Sequence, residues 1–512
     1  MKYLRYIAII IMLTGSALAA CTGSHPTWFA TPDQASVTTC IANASNGDTI
    51  NVSAGSATWS SGINISAGKT VKIIGAGAGS TIITGNFFSL FEAGDGVRIS
   101  GFTWHAQNNL MTVETSKGWR IDHITVDTTP NVQAECFLSY SNDSSGPNWG
   151  LLDHINSSIC QWETLGGAFG NAGNSDNIAW STPNPIGTQN AIYFEDSAFT
   201  CPNPGSNAYF NAWDAHQGGS YVVRFSTMIG CRFEAHGVQG DQERSTRSYE
   251  MYGNTVNGWD GSGSNNMVDF QYRPWLMRGG SGMIFHNTMD GQFLNNELDI
   301  DVPRASESSI AGQISAWGFC ACNSSSCTSY AHHFVDQNNS GQADRFCRDQ
   351  IGTIQDVSTW PSGYTNPAPA QVGYEAFFWK NTQPGNVELP VQLQCPEGNG
   401  NMCSNQSTQI ASNRDYAIYA ASFNGTSGVG EGTLASRPST CTTGVGYWAT
   451  DQGSWNTSGN GFGQGQLYAC TATNTWTLYY TPYAYPHPLQ GNTTASIGAA
   501  GQVTVKGNIV IK

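Results

Sequence analysis

The sequence is poor in charged side chains. Only 11% of its 512 residues are Asp, Glu, Lys or Arg, against about 25% in an average globular protein. Ser, Thr, Asn and Gln must therefore supply most of the polar surface. The formal net charge is −15, and no basic stripe is present that could neutralise the phosphates of a nucleic acid. These features favour a secreted protein rich in strands and turns, and they argue against a nucleic-acid partner.

Long apolar runs are also missing beyond the N-terminus. No later segment approaches the roughly 18 consecutive apolar residues of a transmembrane helix, so the mature chain is expected not to span a membrane. Residues 1–20 read as a bacterial export signal, with cationic MKYLRY, apolar IAIIIML and a small-residue end. Two cleavage patterns compete. Ala17-Leu18-Ala19 fits an ordinary signal peptidase, whereas Leu18–Cys21 resembles a lipobox that would place a lipid anchor on Cys21.

The chain has fourteen cysteines, and in an exported protein these predict disulfides rather than metal sites. An even count pairs completely only if Cys21 keeps its thiol, which favours ordinary cleavage. The expected local pairs are Cys136–Cys160, Cys201–Cys231, Cys395–Cys403 and Cys441–Cys470.

One short pattern recurs along the chain. MYGNTVNG at Met251–Gly258 and IFHNTMDG at Ile284–Gly291 are nearly the same phrase, 33 residues apart. Earlier copies follow at intervals of 22 to 42 residues. The anchor residues of the copies are Thr103, Thr125, Asn156, Ala198, Thr227, Thr255 and Thr288. Four residues before each anchor stands an apolar residue: Ile99, Ile121, Leu152, Phe194, Val223, Met251 and Ile284.

This pattern predicts stacked strands. Alternation of apolar and polar residues indicates strands with one buried face. A strand that returns at such variable intervals is typical of a solenoid, because propeller blades need about four strands in 40–50 residues. No helical pattern separates the strands, which argues against a βαβ sheet. We expect an all-β parallel β-helix in which like residues form columns about 4.8 Å apart.

The N-terminal part carries a resemblance to a known family. A short amphipathic helix with Val37, Cys40, Ile41 and Ala44 on one face would cap the stack. The segment ANASNGDTINVSAGSATWSSGINISAGKTVKIIGAGAGSTIITG and the repeats after it resemble the right-handed parallel β-helix proteins of the pectate lyase and polygalacturonase superfamily. The resemblance covers residues 35–300 and implies a right-handed solenoid. It does not fix the chemistry, because that superfamily holds lyases, hydrolases, epimerases and non-catalytic adhesins.

The expected domain organisation has four parts. Residues 1–20 are the signal peptide, and residues 21–300 form the β-helix. Residues 301–430 are a loop-rich extension packed on it. Residues 431–512 hold a disulfide-closed hairpin with exposed Trp448 and Trp455, followed by a terminal capping segment.

The residues three positions before each anchor should point outward and form a column along the stack. They are Ser100, Asp122, Asp153, Glu195, Arg224, Tyr252 and Phe285. Carboxylates on adjacent coils would lie about 5 Å apart, which is unfavourable unless a cation relieves the repulsion. We therefore predict calcium at Asp122, Asp153 and Glu195. The alternative is a solvated surface in which Arg224 neutralises Glu195.

This column suits β-elimination on an acidic, uronate-containing extracellular polysaccharide. Calcium would neutralise the substrate carboxylate, and Tyr252 and Phe285 would stack on sugar rings. Resemblance to pectate lyases implies Arg224 as the base or as a clamp on the carboxylate. A non-catalytic adhesin or carbohydrate-binding solenoid, also exported and monomeric, is the competing class.

A second cluster lies in FEAHGVQGDQERSTRSYE, the densest run of titratable residues. It supplies His236 as an alternative base and Arg244 and Arg247 as substrate ligands; Asp214 and His216 are expected to face the same cleft. Its His-Gly pair is similar to a polygalacturonase element, although the NTD and RIK elements of that family are absent. An inverting hydrolase would use Glu195 and Asp241 as acid and base. The alternative is a loop held by Arg–carboxylate pairs. His123, His154 and His286 are expected to pack inside.

Overall fold

The structure, a computed structural model, describes most of the chain in separate ranges. These are residues 21–107, 109–127, 134–140, 148–158, 160–165, 180, 182–201, 211–237, 245–258, 273–293, 297–301, 349–356, 371–394, 410–491, 496–497 and 503–504. Residues 1–20, predicted to be a signal peptide, and the cysteines Cys395 and Cys403 lie outside these ranges. In the described part of the chain, none of the helices has the length and hydropathy that crossing a membrane would need.

Within the described residues, most strands belong to a 22-stranded sheet and a parallel 10-stranded sheet. Each repeat of the chain passes through three columns of strands in turn. The first column consists of Thr27–Ala30, Thr49–Val52, Lys72–Gly75, Arg98–His105, Lys117–Asp127, Trp149–Asp153, Ile192–Glu195, Ser220–Arg224, Ser248–Tyr252, Ser281–Phe285, Ala376–Trp379 and Tyr416–Ile418.

The two other columns complete each repeat. Arg98–His105 and Lys117–Asp127 continue from the first column into the second. The rest of the second column is Gly55–Trp59, Thr81–Gly85, Asn156–Ser158, Ala198–Thr200, Thr227–Ile229, Thr255–Asn257, Thr288–Met289 and Thr382–Gln383. The third column is Ile63–Ile65, Phe88–Phe91, Met111–Glu114, Ala134–Tyr140, Cys160–Leu165, Asn211–His216, Arg232–Ala235, Trp275–Met277, Leu298–Asp301 and Val391–Gln394.

The stacking register predicted from the sequence is confirmed. Ile99 pairs with Ile121 and Ile121 with Leu152, and the pairing continues through each predicted residue to Ile284. All of these side chains are buried. The stack also continues beyond residue 300, because Ile284 pairs with Phe378 and Phe378 with Ile418. The expected boundary at residue 300 is therefore too early.

Between the first and second columns, each described repeat from Arg98–His105 to Ala376–Trp379 turns through one residue in the left-handed conformation. The residues with positive φ at this position are Gly101, His123, His154, Asp196, Phe225, Gly253, His286 and Lys380. The conformation swings these side chains away from the core. The expectation that His123, His154 and His286 pack inside is therefore wrong, since their side chains are 54%, 44% and 28% exposed.

The residue after this turn points inward and forms a polar ladder in the last repeats. The Asn254 backbone N–H donates to Asn287 Oδ1 at 3.0 Å, and Asn287 Nδ2 donates to Asn381 Oδ1 at 2.8 Å. Each amide also donates to a strand carbonyl, as Asn287 does to Met251. The Asn that directly precedes the Thr anchor in the recurring pattern therefore links adjacent repeats inside the stack through hydrogen bonds.

The N-terminal end of the stack is covered by the helix Gln34–Asn43. Asp33 caps it by accepting a hydrogen bond from the Ser36 backbone N–H, and Val37, Cys40 and Ile41 are buried as predicted. Cys40 is bonded to Cys21, the residue that opens the strand Cys21–Ser24. A lipid carried through the same sulfur would exclude this bond.

The local disulfide pairs predicted from the sequence are confirmed in part. Cys201–Cys231 and Cys441–Cys470 are formed as predicted. Cys136 is disulfide-bonded, and the side chain of its predicted partner, Cys160, falls outside the described side chains. The pair Cys395–Cys403 lies wholly outside the described residues.

A C-terminal sheet packs against the outer face of the first column. Its strands are Val429–Gly432, Gly446–Ala449, Gln466–Ala472 and Thr475–Tyr480. Trp448 and Trp455, expected to be exposed, are only 2% and 4% exposed. Residues 483–490, called here the covering segment, continue from this sheet. The remaining elements are Gln371–Gly373, Thr353–Asp356, Val387–Glu388, Ser496–Ile497, Val503–Thr504 and the 3-10 turns Leu434–Ser436 and Pro488–Gly491.

Candidate functional site

The predicted outward column forms on the first column of strands. Asp122 pairs with both Ser100 and Asp153, Asp153 pairs with Glu195, and Glu195 pairs with Arg224. The alignment then runs through Tyr252 and Phe285 and reaches Trp379, which the sequence analysis missed. Residues from distant parts of the sequence are thus neighbours along one line.

This column is not a solvent-facing ridge. From Asp122 to Trp379 every member is 0% exposed, because the C-terminal sheet and the covering segment lie on top of it. The expectation that these side chains face solvent is therefore wrong. Sequence alternation separates inward from outward residues, but it carries no information about a later segment that covers the outer face.

Each predicted calcium ligand is bonded to an arginine. Arg98 binds Asp122 through Nε and Nη2, both at 2.7 Å. Arg120 binds Asp153 at 2.8 and 2.7 Å, and Arg224 Nε donates to Glu195 Oε2 at 2.6 Å. Five hydrogen bonds from guanidinium groups therefore occupy oxygens of all three carboxylates. Carboxylates that are already bonded to arginines do not fit a calcium site.

The charges of this column are balanced within the protein. Burial acts to raise the pKa of Asp122, but the hydrogen bond from Arg98 and the charge of Arg120 outweigh it, so the pKa is lowered. For Glu195, burial prevails over Arg224 and the pKa is raised. Burial opposes the charged form of Arg224, and the Glu195 carboxylate more than compensates, so its pKa is raised.

All three nitrogens of the Arg224 guanidinium donate to protein groups. Nη1 donates to Tyr252 Oη at 2.9 Å and to the Tyr483 carbonyl at 2.7 Å, and Nη2 donates to the Ala484 carbonyl at 2.8 Å. Its carbon also lies 4.9 Å from the Tyr193 ring centroid. In this arrangement Arg224 holds the covering segment and has no free face for a substrate.

Tyr252 and Phe285 are packed in the same way. Their ring centroids are 4.7 Å apart, and Phe285 stacks on Trp379 at 4.3 Å. Trp448 of the C-terminal sheet and Trp455, which lies between its second and third strands, contact this stack. The aromatic faces that were expected to bind sugar rings are therefore used for packing between the two parts of the protein.

The second predicted cluster forms on the outer face of the third column. Trp213, Ala215, Phe233 and Ala235 belong to the core, and their alternating neighbours face outward. Asp214 and His216 lie on the strand Asn211–His216, and His236 directly follows the adjacent strand Arg232–Ala235, so the three side chains are neighbours. Glu234 and Arg278 join them, and the five residues are called here the Asp214 cluster.

The groups of the Asp214 cluster are in contact. His236 Nδ1 lies 3.4 Å from Asp214 Oδ2 and 3.6 Å from Glu234 Oε1. Arg278 Nη2 donates to Glu234 Oε1 and lies 2.8 Å from His236 Nδ1. The His216 and His236 ring centroids are 5.3 Å apart. The His236 side chain is 19% exposed, so solvent reaches the centre of the cluster.

Two arginines at this cluster were missed. Arg232 Nη2 donates to Glu234 Oε2 at 2.5 Å, and Arg278 follows the strand Trp275–Met277. Arg232 could have been found from the sequence, because Arg232, Glu234 and His236 occupy every second position in RFEAH and therefore share one face of the strand. Arg278 comes from the next repeat, since its strand pairs with Arg232–Ala235, and the anchor pattern does not extend to the third column.

The other predicted site residues are placed elsewhere. Asp241 and Arg244 lie outside the described residues. Arg247 is buried, and it donates to the Ile354 carbonyl at 2.8 Å, to Thr182 Oγ1 at 2.6 Å and to the Pro183 carbonyl at 2.8 Å. These bonds join segments of the protein, so Arg247 does not reach the Asp214 cluster as a substrate ligand.

Two groups of side chains among the described residues have the composition of a metal site. In one, single ligand atoms of Asp214, Glu234 and His236 all lie within 4.8 Å of one another. The other consists of His123, Asp153 and His154. The first offers carboxylate oxygens and lies at the partly open cluster, so it is the donor set that could hold a hard divalent cation near a substrate.

Comparisons with known proteins identify neither a family nor an activity for this chain. No family model matches the sequence, and no curated protein matches it significantly. Among solved structures, a mutant of the PL6-family alginate lyase AlyGC is similar with a TM-score of 0.34 and 11% identity, covering 94% of this chain and 59% of that one. The chain thus spans less than two thirds of the length of that protein, and the likeness is too weak to transfer an activity.

Proposed function

We propose that the protein is an exported, polysaccharide-active protein built on a right-handed parallel β-helix. The support for the solenoid is the register, in which like residues from successive repeats stack in three columns. Disulfides such as Cys201–Cys231 fit an oxidising compartment outside the cytosol.

We further propose that it cleaves an acidic, uronate-containing polysaccharide by β-elimination at the Asp214 cluster. The observation that carries this proposal is the position of His236, which is partly exposed and lies between the Asp214 carboxylate and the Arg278 guanidinium. β-Elimination needs a cation for the substrate carboxylate and a base for the proton on the adjacent carbon. The cluster supplies both on one face, whereas the outward column of the first sheet is covered.

The residues take separate roles in this reaction. Arg278 faces the substrate carboxylate and stabilises the charge that develops on it. Arg278 Nη2 lies 2.8 Å from His236 Nδ1 and 3.1 Å from Nε2, so it must turn from the ring to the substrate carboxylate before His236 can act. His236 then donates its Nδ1 hydrogen to Asp214 and removes the proton from the adjacent carbon with Nε2. The electron pair of that bond forms the new double bond, and the glycosidic oxygen departs from the neighbouring carbon. His216, beside His236, donates the proton that this oxygen takes up.

Among the described residues, the Asp214 cluster is the donor set at which a calcium ion would serve the proposal. Asp214 and Glu234 would hold it, and the ion would add positive charge for the substrate carboxylate. Arg232 and Arg278 already place two positive charges against Glu234. Both Glu234 oxygens thus accept from arginines, as the carboxylates of the outward column do, so we expect calcium to change activity only slightly.

An inverting hydrolase receives less support. Its acid and base would be separated by about 6.5–9.5 Å, whereas ligand oxygens of Asp214 and Glu234 lie within 4.8 Å. Of the pair expected from the sequence, Glu195 is enclosed by Arg224, His487 and Gln490. Its partner, Asp241, lies outside the described residues.

The test is incubation with a panel of uronate polymers, with calcium or with EDTA, followed by the ultraviolet absorbance of the unsaturated product and by a reducing-end assay. We expect both signals from the wild type. His236→Asn should lower turnover by roughly 100-fold or more. The matched control is His105→Asn, since His105 is also a partly exposed histidine paired with an acid, Asp127, but lies far from the cluster in sequence.

Three outcomes would count against the proposal. New reducing ends without absorbance would indicate hydrolysis. Binding of a polymer without either product would indicate a carbohydrate-binding solenoid. Full activity in His236→Asn would remove the base from this cluster.

A further inference from the structure

A second pair of histidines lies on another part of the surface, outside the Asp214 cluster. His123 and His154 occupy the same left-handed turn position in consecutive repeats, with φ of 53° and 54°. Their rings are parallel, with an interplanar angle of 4° and centroids 4.6 Å apart. Both side chains are exposed, at 54% and 44%.

The turn itself does not require histidine. Gly101 and Asp196 hold the same position in the repeats on either side of the pair, and Gly253 holds it further along. Glycine and aspartate suit a positive φ at least as well as histidine does. The sequence repeats Asp-His-Ile at both places, at Asp122–Ile124 and Asp153–Ile155. The backbone therefore does not account for two stacked imidazoles.

Each imidazole is oriented by the aspartate that precedes it. His123 Nδ1 lies 2.8 Å from Asp122 Oδ2, and His154 Nδ1 lies 2.8 Å from Asp153 Oδ2. A carboxylate accepts hydrogen bonds only, so each Nδ1 carries the hydrogen and each Nε2 keeps its lone pair. A carboxylate bonded to one ring nitrogen is the usual support for a histidine that binds metal through the other.

The supporting aspartates are themselves fixed. Arg98 binds Asp122 through two hydrogen bonds, and Arg120 binds Asp153 in the same way. Both carboxylates are fully buried. Two equivalent Arg–Asp–His chains therefore stand on neighbouring repeats, and their outer ends are the two Nε2 atoms.

We propose that His123 and His154 form a clamp for a divalent transition-metal ion such as Zn²⁺ or Cu²⁺. Because the rings are parallel and make the same Nδ1 bond, the Nε2 atoms face the same way at a separation close to the 4.6 Å of the centroids. Metal–nitrogen bonds of about 2.0–2.1 Å at a tetrahedral angle bring two nitrogens to about 3.3 Å. A modest tilt of two exposed rings supplies the difference.

The ligand chemistry separates this clamp from the calcium considered above. Two neutral imidazoles suit zinc, copper or nickel, whereas calcium prefers oxygen ligands. The protein supplies two ligands, so the remaining positions take water or donor atoms of a bound molecule. The inference does not depend on the proposed lyase activity.

The test is calorimetric titration of the full mature chain with ZnCl₂, for the wild type, His123→Asn and His154→Asn. Asparagine is chosen because it tolerates a positive φ. To remove zinc binding at the Asp214 cluster, every titration is repeated in proteins that also carry His236→Asn. In that background we expect each substitution in the clamp to weaken zinc binding by at least about tenfold, equal to roughly 1.4 kcal/mol.

His105→Asn is the matched control, because His105 also has its Nδ1 on an aspartate but is not stacked on another histidine. It should leave zinc affinity unchanged, and excess CaCl₂ should not compete. Cu²⁺ bound to the wild type should show two nitrogen ligands by electron paramagnetic resonance, falling to one in either variant. Unchanged affinity in both clamp variants, or an equal loss in His105→Asn, would overturn the proposal. Thermal unfolding confirms that each variant is folded.

Discussion

Arg224 and Glu195 stand on adjacent strands, 2.6 Å apart between Nε and Oε2, and neither side chain is exposed. Apart from the bond from Arg224 to Tyr252 Oη, their other side-chain hydrogen bonds go to the covering segment, through the carbonyls of Tyr483 and Ala484, the backbone N–H of His487 and Nε2 of Gln490. The pair therefore joins the C-terminal part of the chain to the middle of the stacked sheets.

Replacement of Arg224 should destabilise the protein. Arg224→Ala would leave the Glu195 carboxylate buried without its cation, at a cost of about 3–5 kcal/mol. Urea unfolding of the variant measures this loss. Arg98→Ala is the control, because Arg98 is 27% exposed and its partner Asp122 keeps Arg120 at 3.4 Å, so its loss should be clearly smaller. An Arg224→Ala protein of wild-type stability without activity would instead support the catalytic role predicted from the sequence.

The covering segment should make stability sensitive to acid through His487. Burial, with Arg224 and Arg120 nearby, lowers the pKa of His487 to about 3. As pH falls below the ordinary histidine value of about 6.5, the unfolded chain takes up a proton that the folded chain refuses. The contribution of His487 to stability is therefore lost progressively from about pH 6.5 towards about pH 3.

The measurement is urea unfolding between about pH 7 and pH 4 for the wild type and His487→Gln. The free energy of unfolding of the wild type should fall more steeply, by up to about 1.4 kcal/mol per pH unit relative to the variant. Glu195, whose pKa is raised by burial, acts in the opposite direction in both proteins, so only the difference in slope reports His487. Parallel pH profiles would contradict a buried neutral imidazole.

The asparagine ladder should contribute to stability. Asn287 is fully buried and bonds to Asn254, Asn381 and the Met251 carbonyl. Asn287→Ala leaves these partners unsatisfied and should cost about 1–3 kcal/mol. Asn46→Ala removes an exposed amide that bonds to the Gly68 carbonyl and should cost less. Equal effects on the thermal midpoint would show that the ladder is dispensable.

The N-terminal disulfide gives a direct test of processing. If Cys21 is bonded to Cys40 in the mature protein, proteolysis without reduction should yield the two cysteine peptides joined, and reduction should separate them. Mass spectrometry of the purified protein distinguishes this from lipidation. A lipid-modified Cys21 peptide together with a Cys40 that alkylates without reduction would contradict the disulfide.

The register of the first column could be predicted from the sequence because it is a local property. Alternation places Met251 and Ile284 inward at fixed distances from their anchors, and identical patterns stack in register. The closeness of Glu195 and Arg224 followed from the same rule. The outward histidines did not, because the left-handed turn at His123 and His154 breaks the alternation that the prediction extended through it.

The amino-acid sequence by itself therefore determined which residues repeat, which face inward and which strands lie side by side, since periodicity and side-chain alternation act within a few residues. Only the tertiary structure decided which outer face stays open. The segment that covers Arg224 lies 259 residues further along the chain, and Arg278 reaches Glu234 from another repeat. Contacts over such distances depend on how the whole chain packs, and no local pattern records them.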